Sequence, residues 1–182
     1  MKADKIVHFN CFETRLNLST EQFFTHWEQY TRSEKNDAHV ILQRSQHNGL
    51  FKYIAQHQLI SDGTQFVFEK ARRSSRVPEM EIKATHFGGY SVSQLQRKDD
   101  VDEDESKVFA FLNITADKLE EFKRISDHAK LNIYEAYYEN CRYAYILEFF
   151  VSDEYVTELM EQLKLNKAPE IGAYHGFALQ GL

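Results

Sequence analysis

The chain has 182 residues, 42% of them hydrophobic and 14% aromatic, with only seven glycines and two prolines. A chain of this size buries about 70% of its unfolded surface, and this composition excludes a disordered polymer. Twenty-two basic against 28 acidic residues leave a formal charge of −6, which repels a phosphate backbone and argues against nucleic acid as a partner.

Met1 to Lys5 runs straight into a strand pattern without an apolar leader, and no run reaches the roughly 18 apolar residues of a membrane span. Cys11 and Cys141 stand far apart with no second pair to form a metal knuckle or redox CxxC. The expectation is a cytoplasmic protein with two reduced thiols, no membrane contact and no metal. The first strand spans 5–13, with Val7, Phe9 and Cys11 on one face and Ile6, His8, Asn10 and Phe12 on the other. Ser19 and Gln22 form a capping box for a helix whose stripe is Phe23, Phe24, Trp27 and Tyr30. Strands at 38–45 and 50–59 flank His47-Asn48-Gly49, a hairpin-turn signal. A helix over 62–73 and a strand over 87–96 complete the first unit.

After Arg97 the charged stretch to Glu105 is too polar to pack and reads as a linker. A strand over 107–114 follows, then a helix capped by Thr115 with the stripe Leu119, Phe122, Ile125 and Ala129. Hairpin strands at 132–138 and 142–150, a helix over 153–165 carrying Val156, Leu159, Met160 and Leu163, and a strand over 171–179 finish the chain. Both units therefore read βαββαβ. The expected domains are 1–98, an acidic linker 99–105, and 106–182.

The two units also match as sequence. Pro78-Glu79 and Pro169-Glu170 stand 91 residues apart, as do Ile60-Ser61-Asp62 and Val151-Ser152-Asp153, while Lys52-Tyr53 and Arg142-Tyr143 stand 90 apart. Gly88-x-Tyr90 and Gly172-x-Tyr174 stand 84 apart, which makes Met80 to His86 an insertion in the first copy. A βαββαβ unit is the ferredoxin-like arrangement, an α+β fold with both helices on one face of an antiparallel sheet. The bare second face needs a partner, and a second copy supplies one.

In element order and duplication the chain resembles the dimeric α/β-barrel superfamily, here as a fused tandem pair of ferredoxin-like units closing a single-chain barrel. Leu59-Ile60-Ser61-Asp62 and Phe150-Val151-Ser152-Asp153 stand where the antibiotic-biosynthesis monooxygenase-like proteins show a Trp-x-Ser segment, without the tryptophan. Haem-degrading relatives use a first-strand asparagine, that tryptophan and a later histidine. Asn10 fits the first, Leu59 replaces the second, and the stretch Glu69 to Arg73 supplies no histidine. The resemblance implies a small-molecule-binding barrel, in its enzymatic form a cofactor-independent monooxygenase- or isomerase-like protein acting on a planar aromatic compound. A ligand carrier or interaction protein with a plugged barrel is the alternative, and haem binding is a third reading. A homo-oligomer is compatible but not required, because fusion already covers both bare faces.

If the apolar face of the first strand meets the helices, His8, Asn10 and Phe12 face the lumen. Alternation then groups Phe51, Tyr53, Ala55 and His57 on the third strand, and on the last strand it sets His175 off from Gly172, Tyr174 and Gly176. His8 and His57 are the candidate proton acceptors and Asn10 the oxyanion partner. Phe12, Tyr53, Tyr174 and His175 are the candidate ligand contacts. The corresponding second-copy positions, Phe109, Phe111, Leu147 and Phe149, are apolar, so one polar pocket is expected, in the first half. There is no GxGxxG, P-loop, GxSxG, HxH or HExxH pattern, so no cofactor is expected.

Overall fold

In the computed structural model, residues 6–14, 19, 21–23, 38–46, 50–59, 82–92, 105–125, 129–136 and 141–178 are described. Eight strands run β1 (Ile6–Thr14), β2 (Ala38–Ser45), β3 (Tyr53–Leu59), β4 (Ile82–Ser91), β5 (Glu105–Leu112), β6 (Lys130–Ala136), β7 (Tyr145–Ser152) and β8 (Glu170–Ala178). Helix α1 (Ala116–Lys123) follows β5, and α2 (Val156–Leu165) follows β7 through a 3-10 turn at Asp153–Tyr155. The second half thus has the βαββαβ order. In the first half the capping box closes as read: Ser19 N–H donates to Gln22 Oε1 at 2.9 Å and Gln22 N–H to Ser19 Oγ at 3.1 Å. The remaining stripe of that helix, the 62–73 helix, the Asn-Gly turn and the linker up to Asp104 lie outside the described residues. Among the described residues no helix is long and apolar enough to cross a membrane.

The strands form one closed barrel in the order β1-β3-β2-β8-β5-β7-β6-β4, every neighbour antiparallel. Cut at its two seams, the wall gives β4-β1-β3-β2 and β8-β5-β7-β6, the same order in each half. The seams are β2 with β8, where Ile41 to Ser45 face Ala178 to Tyr174, and β4 with β6, where Gly89 to Ser91 face Ala136 to Tyr134. Hydrogen bonds beyond each ladder extend the seams, Gln46 N–H to Ala173 O at 2.9 Å and Val92 N–H to Ile133 O at 3.0 Å. Closure removes the exposed strand edges that a pair of separate sheets would keep.

Register also recurs between the halves. Phe9 sits opposite Gln56 as Phe109 sits opposite Glu148, and Phe12 opposite Tyr53 as Leu112 opposite Tyr145. The spatial counterpart of Tyr53 is therefore Tyr145 rather than the Tyr143 suggested by matching Lys-Tyr to Arg-Tyr. The stretch read as an insertion is largely strand: Ile82 to His86 pair with Thr14 to Asn10 and form the first half of β4.

Alternation divides the core in two. Val7, Phe9, Cys11, Ile54, Phe87, Phe109, Phe111, Tyr134, Ile146 and Tyr174 fill the lumen together with Phe51 and Tyr143. On the outer face of the second half, Val108, Ala110, Leu147, Phe149 and Val151 meet Leu119 and Phe122 of α1 and Val156, Leu159 and Leu163 of α2. Lumen and outer layer are both apolar in this half. Its strands accordingly read as near-continuous hydrophobic runs.

Gly172 is set by lumen crowding. A Cβ there would lie 2.7 Å from the Tyr174 ring and 2.9 Å from its hydroxyl oxygen, and that hydroxyl donates to the Phe51 carbonyl at 2.8 Å. Gly172→Ala must displace the ring and break this bond, with an expected loss of about 1–3 kcal/mol in urea unfolding. A neutral result would show that the ring is not confined.

Candidate functional site

Aromatic rings occupy the lumen. Phe9 meets Tyr134, Phe87 and Phe109 edge-on at centroid distances of 4.9, 6.0 and 6.1 Å. Phe51 meets Phe111 at 5.0 Å and Tyr143 at 6.4 Å, and Tyr174 meets Phe109 at 5.5 Å. These are the edge-to-face contacts favoured by ring quadrupoles. The Tyr143 hydroxyl is buried among them without a hydrogen-bond partner, and burial pushes its pKa up to about 12. Cys11 is a free, buried thiol whose pKa burial also raises, which leaves it unreactive.

A buried polar cluster interrupts this apolar packing. Glu148 on β7, 1% exposed, accepts from Lys107 Nζ on β5 at 2.9 Å through Oε1. Its Oε2 accepts from the Tyr134 hydroxyl at 2.7 Å and from Asn132 Nδ2 at 3.1 Å, both on β6. Gln56 on β3 reaches across to donate to Tyr134 Oη at 3.2 Å. The Lys107 ammonium also lies 4.9 Å from the centre of the Phe150 ring. Burial alone would push the Glu148 carboxyl up, but the Lys107 charge and the hydrogen bonds from Lys107, Tyr134 and Asn132 together hold it below the usual carboxylate range. A carboxylate with both oxygens engaged and a depressed pKa is a poor proton acceptor. The arrangement is a satisfied structural ion pair. Its first-half counterparts are neutral, with Val7 in place of Lys107 and Gln56 in place of Glu148.

The face expected for the first-half residues is reversed. His8 and Asn10 are buried, but they share the outer face with Phe12, while Val7, Phe9 and Cys11 turn inward. Phe23, at the start of the first helix, meets Phe12 at 5.3 Å and stacks on Tyr53 at 3.9 Å with an interplanar angle of 6°. Phe12 and Tyr53 thus line the layer between sheet and helix. Phe51 does not share the face of Tyr53, because it precedes β3, where strict alternation begins. Tyr143 stands in the same relation to Tyr145. His57 lies opposite His8 and His175 opposite Arg44 in the backbone ladder, and their side chains lie outside the described residues. Tyr174 alone of the expected ligand contacts is shown in the lumen, so the constellation is split between two faces of the wall. The charged lumen group, moreover, stands in the second half. Sequence reasoning missed Lys107, Glu148 and Gln56, whose signal was a lone charge or amide at inward positions of apolar strands.

Outside the barrel, an open groove of about 460 Å³ runs between α1 and β6. Val92, Ala116, Leu119, Leu131 and Ile133 supply its apolar walls, and Glu120, Lys123, Glu135 and Tyr145 its polar groups. The groove exists because α1 is only eight residues long and buries just Leu119 and Phe122. Among the described residues no cluster of three His, Cys, Asp or Glu side chains is placed to hold a metal ion.

No family model and no curated protein sequence matches the chain. Solved structures do. A chlorite dismutase variant from Candidatus Nitrospira defluvii superimposes with a TM-score of 0.59 at 10% identity, covering 96% of this chain and 93% of that one. A chlorite dismutase-like protein gives 0.62 at 8% identity, covering 96% and 95%. A monooxygenase-like protein from Lactobacillus acidophilus gives 0.53 at 8% identity, covering 95% and 94%. The chain shares with these structures the fold of a closed eight-stranded α/β barrel. At such identities the likeness is one of fold alone.

The lumen pair can be tested as a unit. Lys107→Val leaves Glu148 buried without its ammonium and should cost about 3–5 kcal/mol in urea unfolding near neutral pH. Lys107→Val with Glu148→Gln reproduces the Val7 and Gln56 combination and should recover most of that loss. Because the folded pKa of Glu148 is depressed, its contribution is full above the unfolded value of about 4.3 and is lost as pH falls through the folded value. The double variant should lack this acid-dependent component. Equal loss in single and double variants would show that the pair is not coupled.

Proposed function

We propose that the chain is a tandem duplication of a ferredoxin-like unit, fused into one barrel, and that it binds a small apolar molecule on the outside of the barrel wall beneath α1. The equal strand order and cross-strand register of the two halves support the duplication. The binding reading is carried by the contrast between the two spaces. Among the described residues, the lumen holds interlocking rings and a hydrogen-bonded ion pair, whereas the groove under α1 is open and large enough for a ligand of a few rings. No group in the lumen cluster is left with both the basicity and the access that turnover requires. Binding without chemistry is therefore the reading favoured here.

Enzymatic turnover of a planar aromatic compound has a different support. His8 and Asn10 are buried polar groups on the face where Phe23 stacks on Tyr53. A planar ring could take the place of Phe23 there, with the imidazole as proton acceptor and the amide as oxyanion partner.

Ala116 lines the groove and is exposed, so Ala116→Trp should obstruct the space without disturbing the core. Titration with 1-naphthylmethanol, followed by amide chemical shifts, should move the signals of residues 116, 131 and 135 in the wild type, and binding should fall at least tenfold in the variant. Shifts clustered instead around residues 8–12 and 53, unaffected by Ala116→Trp, would transfer the site to the first half.

A further inference from the structure

We infer that the groove under α1 selects ligands bearing an organic ammonium group, with Glu135 as the counter-charge; this rests on the groove being the ligand site. Three of its four polar groups carry formal charge. Two of these pair with each other, since Lys123 Nζ donates to Glu120 Oε1 one helical turn away, and together they leave no net charge. Among the described residues the third, Glu135, accepts a single long hydrogen bond, 3.4 Å, from the Tyr145 hydroxyl. A carboxylate has about four lone-pair sites, so most of its accepting capacity is unspent. Tyr145 is its cross-strand partner on the outer face and is itself buried. Desolvation, followed by the Glu135 carboxylate, raises the pKa of that phenol, against a smaller lowering by the Lys123 ammonium, so it stays protonated as the donor to Glu135.

The groove therefore presents an apolar trough of Val92, Leu119, Leu131 and Ile133 ending at one negative charge. An amine on a hydrocarbon body matches both parts: the body covers the aliphatic walls and the ammonium donates to Glu135. An anionic ligand meets the uncompensated carboxylate and is disfavoured. The chain's net charge of −6 acts in the same direction at longer range.

Three probes sharing one body separate charge from shape: 1-naphthylmethylammonium, 1-naphthylmethanol and 1-naphthoate, titrated by calorimetry at low salt. In the wild type the ammonium should bind about two- to fivefold more tightly than the alcohol, as expected for a partly exposed ion pair, and the carboxylate most weakly. Glu135→Gln should abolish the preference, bringing the ammonium to the affinity of the alcohol in the same variant. Glu135 is exposed and a glutamine can still accept from Tyr145, so the variant is expected to fold as the wild type does. If the alcohol binds and Ala116→Trp blocks it, yet Glu135→Gln leaves the ammonium preference intact or none exists, the charge assignment fails and the groove stands. If none of the three binds the wild type, or Ala116→Trp leaves binding unaltered, the groove itself fails and the charge assignment with it.

Discussion

Closure of the wall governs everything else in this structure. Once β2 joins β8 and β4 joins β6, every strand has two neighbours and every inward side chain must share an enclosed space. An eight-stranded barrel is just wide enough for side chains to fill it. The lumen therefore demands volume, and Phe9, Phe51, Phe87, Phe109, Phe111, Tyr134, Tyr143 and Tyr174 provide it. Their crowding fixes the glycines beside them, since Gly89 lies against the Phe87 ring and Gly172 against Tyr174. It also decides the faces: whichever side of β1 carries the larger apolar load goes inward, and that side is Val7, Phe9 and Cys11.

The charged pair has to be weighed against the same constraint. Burying Lys107 and Glu148 in a ring-filled lumen gives up desolvation energy that a neutral pair would keep, and Val7 with Gln56 shows what a neutral version at matching positions looks like. The compensation is fullest on the carboxylate. Glu148 has acceptor bonds on both oxygens, Lys107 has a carboxylate and an aromatic face, and Tyr134 is donor to one half and acceptor from the other. The Gln56–Tyr134–Glu148 chain also links β3 to β6 and β7 through the lumen. It fixes how the halves meet inside, where apolar rings alone would tolerate several packings.

Much of the fold was legible in the sequence because period two and the capping box are local signals. The second-half elements follow in the order read and the Ser19–Gln22 box closes, but α1 ends at Lys123, short of the Ile125 and Ala129 expected in its stripe, and Thr115 at its N-cap makes no side-chain cap bond. What could not be read was the sign of the faces. Both faces of β5 and β7 are buried, one against rings and one against helices, so hydrophobicity alone does not say which is which. The histidines of β1 and β3 drew attention to the first half because polar residues on a strand suggest a pocket. His8 is instead buried on the outer face of the wall, where the same residue pattern occurs. Lys107 and Glu148 were hidden for the opposite reason, since pairing between strands 41 residues apart is a tertiary fact.

The location of open space follows from helix length. Helix α2, ten residues long, buries Val156, Leu159 and Leu163 against the sheet, and packs on β8 and β5. Helix α1 buries two residues and covers less of the wall, although β6 and the end of β4 carry Leu131, Ile133 and Val92 on the same outer face. Aliphatic wall that a short helix leaves uncovered needs either a polar replacement or something to cover it. Here the replacement is partial: Glu135 and Tyr145 stand at one end of the trough and the aliphatic residues remain along its length. Among the described residues, the groove is the open space on the outer wall, and the described lumen side chains pack against one another as rings.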